Sequence, residues 1–235
     1  MSTKIDWCDE VWNPVWGCLH GCPFCYARKF ARRFYRNIAK SNNLSPKDTK
    51  RLKNFQPVFL PKNFARKFSK GEGIIFVNSM SDIVFWKRDW IEKVFERIEQ
   101  EQDKIFLFLS KNPKSYKKFP EIIPENVWIG VSATNNLELT ERTKVLLKAI
   151  SKFPEVKLFI SLEPLLKSIR DLDYLQYYKW VIVGPLTGRK YHPFYQFSNS
   201  WIKPIKEFCK KKRIAFFTKD AAKRFGIELI KEFPF

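Results

Sequence analysis

Lys104-Ile105-Phe106-Leu107-Phe108-Leu109-Ser110, followed by Lys111-Asn112-Pro113, decides the fold. Its five consecutive apolar residues show no polar alternation, so they read as a strand buried on both faces. Strands of that kind belong to parallel sheets covered by helices. The same form, an apolar run closed by a polar or turn residue, recurs at residues 73–82 (GIIFVNSMSD), 126–132 (NVWIGVS) and 156–162 (VKLFISL, ahead of Glu163-Pro164). It recurs again at 180–184 (WVIVG) and 213–218 (RIAFFT). Helix-like stretches lie between the runs at 24–40, 90–101, 138–152 and 201–211. The alternation is that of an α/β protein with a parallel sheet. A further strand is expected before residue 18, where only 11–17 (VWNPVWG) is available, and Pro14 makes it irregular.

In parallel α/β sheets ligands bind at the C-terminal ends of the strands. Asn78, Ser79, Ser81, Asp82, Lys111, Ser132, Glu163 and Lys219 are expected at those ends. The helix at 24–40 is expected to bury a stripe of Ala27, Phe30, Ala31, Phe34 and Ile38, with Lys29, Arg32, Arg33 and Arg36 largely on its other side. Residues 42–53 read as an exposed basic loop or insertion. The 235 residues fit a single domain, 1–235, with a basic insertion near 41–70 and a basic C-terminal segment near 203–235.

The net charge is +20 and it is clustered. Residues 26–70 carry 14 Lys or Arg against one acid, Asp48, and residues 203–231 carry ten against three. A clustered positive field attracts polyanions, so DNA or RNA is an expected partner, with a generally solvated basic surface as the alternative. No apolar run reaches the ~18–20 residues of a membrane span, so no membrane role is expected. The first ten residues lack the basic and apolar regions of a signal peptide. Together with five cysteines, that suggests a reducing cytoplasm.

Three of those cysteines lie in Cys18-Leu19-His20-Gly21-Cys22-Pro23-Phe24-Cys25. The spacing, C-x3-C-x2-C with an aromatic before the third thiol, differs from that of a redox pair or a closed four-cysteine zinc site. Three thiolates can hold three corners of a cubic iron–sulfur cluster and leave one iron open. A zinc site built from Cys18, Cys22, Cys25 and His20 is the alternative, although structural zinc sites usually join two separated pairs of ligands.

On this motif the sequence resembles the radical S-adenosylmethionine (radical SAM) superfamily, whose partial (β/α)6 barrel matches the number of strand–helix units. It also resembles a phage- and bacteria-associated family defined by a three-cysteine motif. The matching pieces are Trp12-Asn13-Pro14, Tyr26-Ala27, Val77-Asn78-Ser79-Met80-Ser81-Asp82, Trp128-Ile129-Gly130-Val131-Ser132 and Ser161-Leu162-Glu163-Pro164-Leu165. It is distantly similar to spore photoproduct lyase, a DNA-repair enzyme. The chain departs from the family at Gly184-Pro185-Leu186-Thr187, where the family tends to have Gly-Gly-Glu-Ser, and at Ser110-Lys111-Asn112-Pro113, where it tends to have Thr-Lys-Arg-Pro.

The resemblance implies a 4Fe-4S cluster on Cys18, Cys22 and Cys25, S-adenosylmethionine on its open iron, and a 5′-deoxyadenosyl radical as the reactive species. It implies an electron donor such as flavodoxin or ferredoxin. Asn78, Ser79 and Asp82 are the candidate ligands of the methionine amine, against a role in capping the turn. Ser132 and Glu163 are candidates for cofactor contact, Glu163 alternatively for pairing with a lysine. Cys8 and Cys209 are candidate hydrogen donors or plain core thiols. Lys29, Arg32, Arg33 and Arg36 are the candidate nucleic-acid contacts, with Trp86, Tyr191 and Phe194 as candidate base-stacking rings. The functions that stay open are modification or repair of nucleic acid, radical chemistry on a small molecule or peptide, and a non-catalytic nucleic-acid-binding protein with a structural metal.

Overall fold

The computed structural model describes residues 5–187, 195 and 197–235. Tyr191 and Phe194 lie outside the described residues. Two compact units are present. The first runs to Leu109 and includes Ser115–Val127; the second comprises Ser110–Lys114 and Trp128–Phe235.

In the first unit the strands β1 (Glu10–Val11), β4 (Gly73–Phe76) and β5 (Lys104–Ser110) pair in parallel, with Glu10 opposite Ile75 and Gly73 opposite Lys104. The expected first strand at 11–17 is divided by Pro14. Only its start joins the sheet, while β2 (Val15–Trp16) turns away to pair antiparallel with β3 (Val58–Phe59). Proline has no N–H to give a ladder; its carbonyl instead accepts the Leu60 N–H at 2.7 Å. Trp12, just before it, is fully buried among Phe64, Phe68 and Phe106 and donates its indole N–H to the Asn63 carbonyl.

Residues 42–53 are not an exposed loop. They contain the helix α2 (Pro46–Lys53), capped by Ser45, whose hydroxyl accepts the Asp48 N–H at 3.1 Å. Its apolar face is a single buried leucine, Leu52, too little for a periodic stripe to stand out in the sequence. Leu52, Phe55, Val58 and Leu60 form one core cluster with Trp16, Ala27, Ala31 and Met80, and Cys18 and Cys25 pack against it. The short helix α3 (Pro61–Phe64) follows.

The helix α1 (Tyr26–Ser41) buries Ala27, Ala31 and Ala39. Alanine on the inner line lets the helix approach α2 closely, and the large rings are displaced to the sides. Phe30 is therefore 46% exposed rather than core, which corrects the expected stripe. The helix α4 (Arg88–Ile98) completes this unit with a five-residue apolar face, Trp90, Ile91, Val94, Phe95 and Ile98.

In the second unit β6 (Val127–Ser132), β7 (Lys157–Leu162), β8 (Trp180–Val183) and β9 (Ala215–Thr218) pair in parallel. The helix α5 (Asn136–Ala149), capped by Asn135, connects β6 to β7 and α6 (Asn199–Lys212) connects β8 to β9, while a 3-10 turn at Leu172–Tyr177 lies between β7 and β8. Gly130 in β6 has a packing reason: a Cβ there would fall 2.4 Å from the Phe159 ring. The strand order β1-β4-β5-β6-β7-β8-β9 never doubles back. That is the singly wound order of a partial barrel, in which right-handed crossovers place the helices on one outer face. The fold class is therefore the α/β, parallel, barrel-like one that the sequence suggests. Among the described residues no helix is long and apolar enough to cross a membrane.

Candidate cofactor site and basic helix

Gly17 sets the cysteine loop. Its φ is +113°, and a Cβ there would lie 2.2 Å from the Gln56 carbonyl oxygen, so only glycine fits. Its N–H donates to the Met80 carbonyl at 3.0 Å, and the Cys18 N–H donates to the Phe55 carbonyl at 2.9 Å. The loop is thus pinned on one side by the segment after β4 and on the other by the residues after α2. Gly21, at φ +72°, turns the chain between Cys18 and Cys22 with open space around it. Cys25 is the N-cap of α1, its sulfur accepting the Arg28 N–H at 3.4 Å.

All three thiols are free and partly exposed. Burial pushes the Cys18 thiol up to about 12; the Asp82 carboxylate and the two neighbouring thiols act in the same direction, and the His20 backbone hydrogen bond opposes them. A metal group would reverse that balance, since thiolates are stabilised by the cation they bind. His20 is engaged elsewhere than at a sulfur. Its Nε2 lies 2.8 Å from Asp82 Oδ2, and its ring stands edge-on to Phe85. Among the described residues, no three His, Cys, Asp or Glu side chains converge as the ligands of a single ion would.

The segment after β4 is stitched to this loop. Asn13 and Ser79 exchange hydrogen bonds at 2.9 and 3.2 Å, Asn13 Oδ1 accepts the Met80 N–H, and the Tyr26 hydroxyl donates to the Ser79 carbonyl at 2.9 Å. Asn78 is buried and bridges β4 to β5. Its amide donates to the Leu109 carbonyl at 2.6 Å and its oxygen accepts the Leu109 N–H at 3.0 Å. Asp82 is buried, caps the following turn through the Val84 N–H and pairs with His20. Ser79 is the half-exposed member of the three. Asn13 and Tyr26 hold this segment in place, a role that residue-by-residue reading misses because their partners lie 66 and 53 positions away.

The second unit gathers a separate polar cluster at its strand ends. Ser132 Oγ accepts from Lys111 Nζ at 3.2 Å. Glu163, just after β7, lies 2.9 Å from Lys219 Nζ and accepts the Ser161 hydroxyl at 3.0 Å. Gly184 makes room for this pair, since a Cβ there would meet the Lys219 Cδ and Glu163 Oε1 at 2.8 and 2.9 Å. Cys8 and Cys209 are both buried, and burial pushes the Cys209 thiol up to about 12. Trp86 is buried too, with its indole N–H on Ser81 Oγ, so it offers no ring for stacking.

Lys29, Arg32, Arg33 and Arg36 are all exposed on α1, and none has a carboxylate partner among the described residues. Arg33 lies over the Phe34 ring at 5.2 Å, and Arg36 donates to the Tyr35 hydroxyl at 3.0 Å. In the C-terminal basic segment Lys206 pairs with Glu228, and Lys231 with Asp220.

No curated protein and no solved structure matches the chain. A family model described as "Protein of unknown function (DUF5131)" matches residues 2–228, and the chain belongs to that family.

Proposed function

We propose that this chain is an enzyme that holds a 4Fe-4S cluster and S-adenosylmethionine and acts on nucleic acid. One observation carries the reading. Three free thiols share one pinned loop, while His20, the nearest candidate for a fourth ligand, is engaged by Asp82. That donor set fits a group needing three thiolates and one open position better than an ion needing four protein ligands. Zinc ligands at ~2.3 Å from one ion must sit close together, whereas a cluster's sulfurs spread around a larger body.

The chemistry such a pair supplies when bound is reductive cleavage of S-adenosylmethionine to a carbon radical that takes hydrogen from an unactivated C–H bond. The chain's own residues hold and shield. Cys18, Cys22 and Cys25 would be the thiolates, and the Gly17 and Cys18 N–H groups, donating to the Met80 and Phe55 carbonyls, fix their loop. Ser79 would offer a hydroxyl to the methionine amine. Asn78, whose amide is committed to Leu109, and Asp82 would hold the segment in shape. Ser132 and Glu163 would contact cofactor or substrate, with Lys219 and Ser161 orienting the Glu163 carboxylate. Exposed Lys29, Arg32, Arg33 and Arg36 support a polyanionic substrate.

The test is iron, sulfide and zinc content of protein purified without oxygen, alongside Cys22→Ala. About four irons and four sulfides per chain, lost in the variant, followed by 5′-deoxyadenosine release on reduction, are expected. One zinc per chain without sulfide would refute the reading and leave a non-catalytic binding protein.

A further inference from the structure

Large apolar side chains are concentrated at the surface around the cysteine loop. Leu19 is 58% exposed, Tyr26 59% and Phe30 46%, all within twelve residues of sequence. Exposed rings beside a run of cations call for an occupant. Tyr26, Lys29, Phe30 and Arg33 are spaced at i, i+3, i+4 and i+7 and so share one face of α1.

These rings are also fixed. Tyr26 is tethered by its hydroxyl to the Ser79 carbonyl while more than half of the residue faces solvent. Phe30 rests on Phe34 at 4.5 Å and Trp16 at 5.8 Å and keeps its outer side free. A ring held in place loses little entropy when a planar partner stacks on it. The 16 residues of α1 give a track of about 24 Å. Along it stand Lys29, Arg32, Arg33 and Arg36, and the adjoining α2 adds Lys47, Lys50 and Lys53.

We propose that a single-stranded polynucleotide lies along α1, its unpaired bases stacked on Tyr26 and Phe30 and its phosphates on Lys29, Arg32, Arg33 and Arg36. This rests on the nucleic-acid reading above and narrows it to single strands. A duplex hides its base faces, so it has no use for open rings, whereas unpaired bases stack on them whatever their identity. A protein partner fits less well, because interface cores are depleted in charge. This face carries exposed cations directly beside its rings.

The test uses fluorescence anisotropy with labelled DNA and RNA strands of about 12 nucleotides and the matching duplex, on wild type and on Cys22→Ala. Single strands should bind more tightly than duplex, with affinity falling steeply between about 50 and 200 mM salt. Phe30→Ala and Tyr26→Ala should each weaken single-strand binding about five-fold or more and leave duplex binding within two-fold. Phe30→Leu keeps an apolar side chain without a ring, guards against misfolding, and should weaken strand binding as Phe30→Ala does. The strand bound more tightly identifies DNA or RNA as the source. A preference for duplex, wild-type affinity in Phe30→Leu, or tight binding of an acidic flavodoxin-type protein in place of any strand would overturn the proposal. Cys22→Ala should still bind strands. Wild-type protein that carries no iron yet binds them refutes only the catalytic reading, and iron-loaded wild type that ignores them refutes only this one.

Discussion

Replacing Gly17 by alanine should damage the first unit more than any other single methyl group in the cysteine loop. The new Cβ would sit 2.2 Å from the Gln56 oxygen and 2.6 Å from the Pro57 nitrogen, both backbone atoms with no rotamer to escape into. Relieving that overlap means shifting the Gln56–Pro57 backbone, a cost of about 1–3 kcal/mol for overpacking. Holding a non-glycine residue at φ +113° adds about 1–3 kcal/mol. The sum, about 4 kcal/mol at mid-range, corresponds to a melting temperature lower by about 8–16 °C. Gly21→Ala is the internal control. It shares a positive φ, +72°, but meets nothing within 4 Å, so it should cost about 1–2 kcal/mol. Calorimetry of Gly17→Ala, Gly21→Ala and wild type measures both, and iron retention after anaerobic gel filtration should fall in the same order. Melting of Gly17→Ala within about 3 °C of wild type, or at the same temperature as Gly21→Ala, would refute the view that this contact pins the loop.

Asn78→Ala takes from the Leu109 N–H and carbonyl their part-buried side-chain partner. It should cost about 2–4 kcal/mol in denaturant titration, even in protein without cofactor; full stability in that state would show that the residue serves only a ligand. Gly130→Ala should destabilise by about 1–3 kcal/mol, and adding Phe159→Leu should restore part of the loss, because the nearest atoms to the new methyl belong to the Phe159 ring; thermal melts of the single and double variants decide this. For Glu10, burial opposes ionisation, but the Ser69 N–H and the Arg66 guanidinium outweigh it and hold the carboxyl below its usual 4.5. A depressed folded pKa stabilises above the unfolded value and is lost as pH falls through the folded one. Glu10→Gln should therefore melt about 1–3 °C lower at neutral pH, with the gap closing as the pH drops below about 4.5.

The strands from β4 to β9 were legible because each is a nearly unbroken apolar run with a polar or turn stop, whereas the two-residue β1 and β3 carry no such run. Lys104–Ser110 coincides end to end with β5. Helix positions were legible where a stripe of large residues exists, as in α4, and illegible in α2, where Ser45-Pro46 marks the start but only Leu52 marks the face. Phe30 was misplaced for the opposite reason. Periodicity assigns a ring to the interior, but alanines at 27 and 31 already fill the contact with the core. At the candidate site the thiols announce themselves by spacing. The polar residues at 78–82 do not disclose that Asn78 serves backbone, or that Ser79 answers to Asn13 and Tyr26, because such pairings depend on partners brought together only by the folded chain.

The stitching between the cysteine loop and the segment after β4 has a consequence for biosynthesis. His20 meets Asp82 across 62 residues. At about 5–20 residues per second, the three thiols leave the ribosome roughly 3–12 s before the partners that clamp them. Through that interval the loop is a flexible tether bearing reactive sulfurs. On the cluster reading proposed above, iron delivered then would be captured by a chain free to offer any two or three of them. Iron delivered after Asp82 has docked would meet the loop in its final shape. Slowing translation between codons 25 and 82 should therefore raise the fraction of miscoordinated or oxidised protein without altering a single residue.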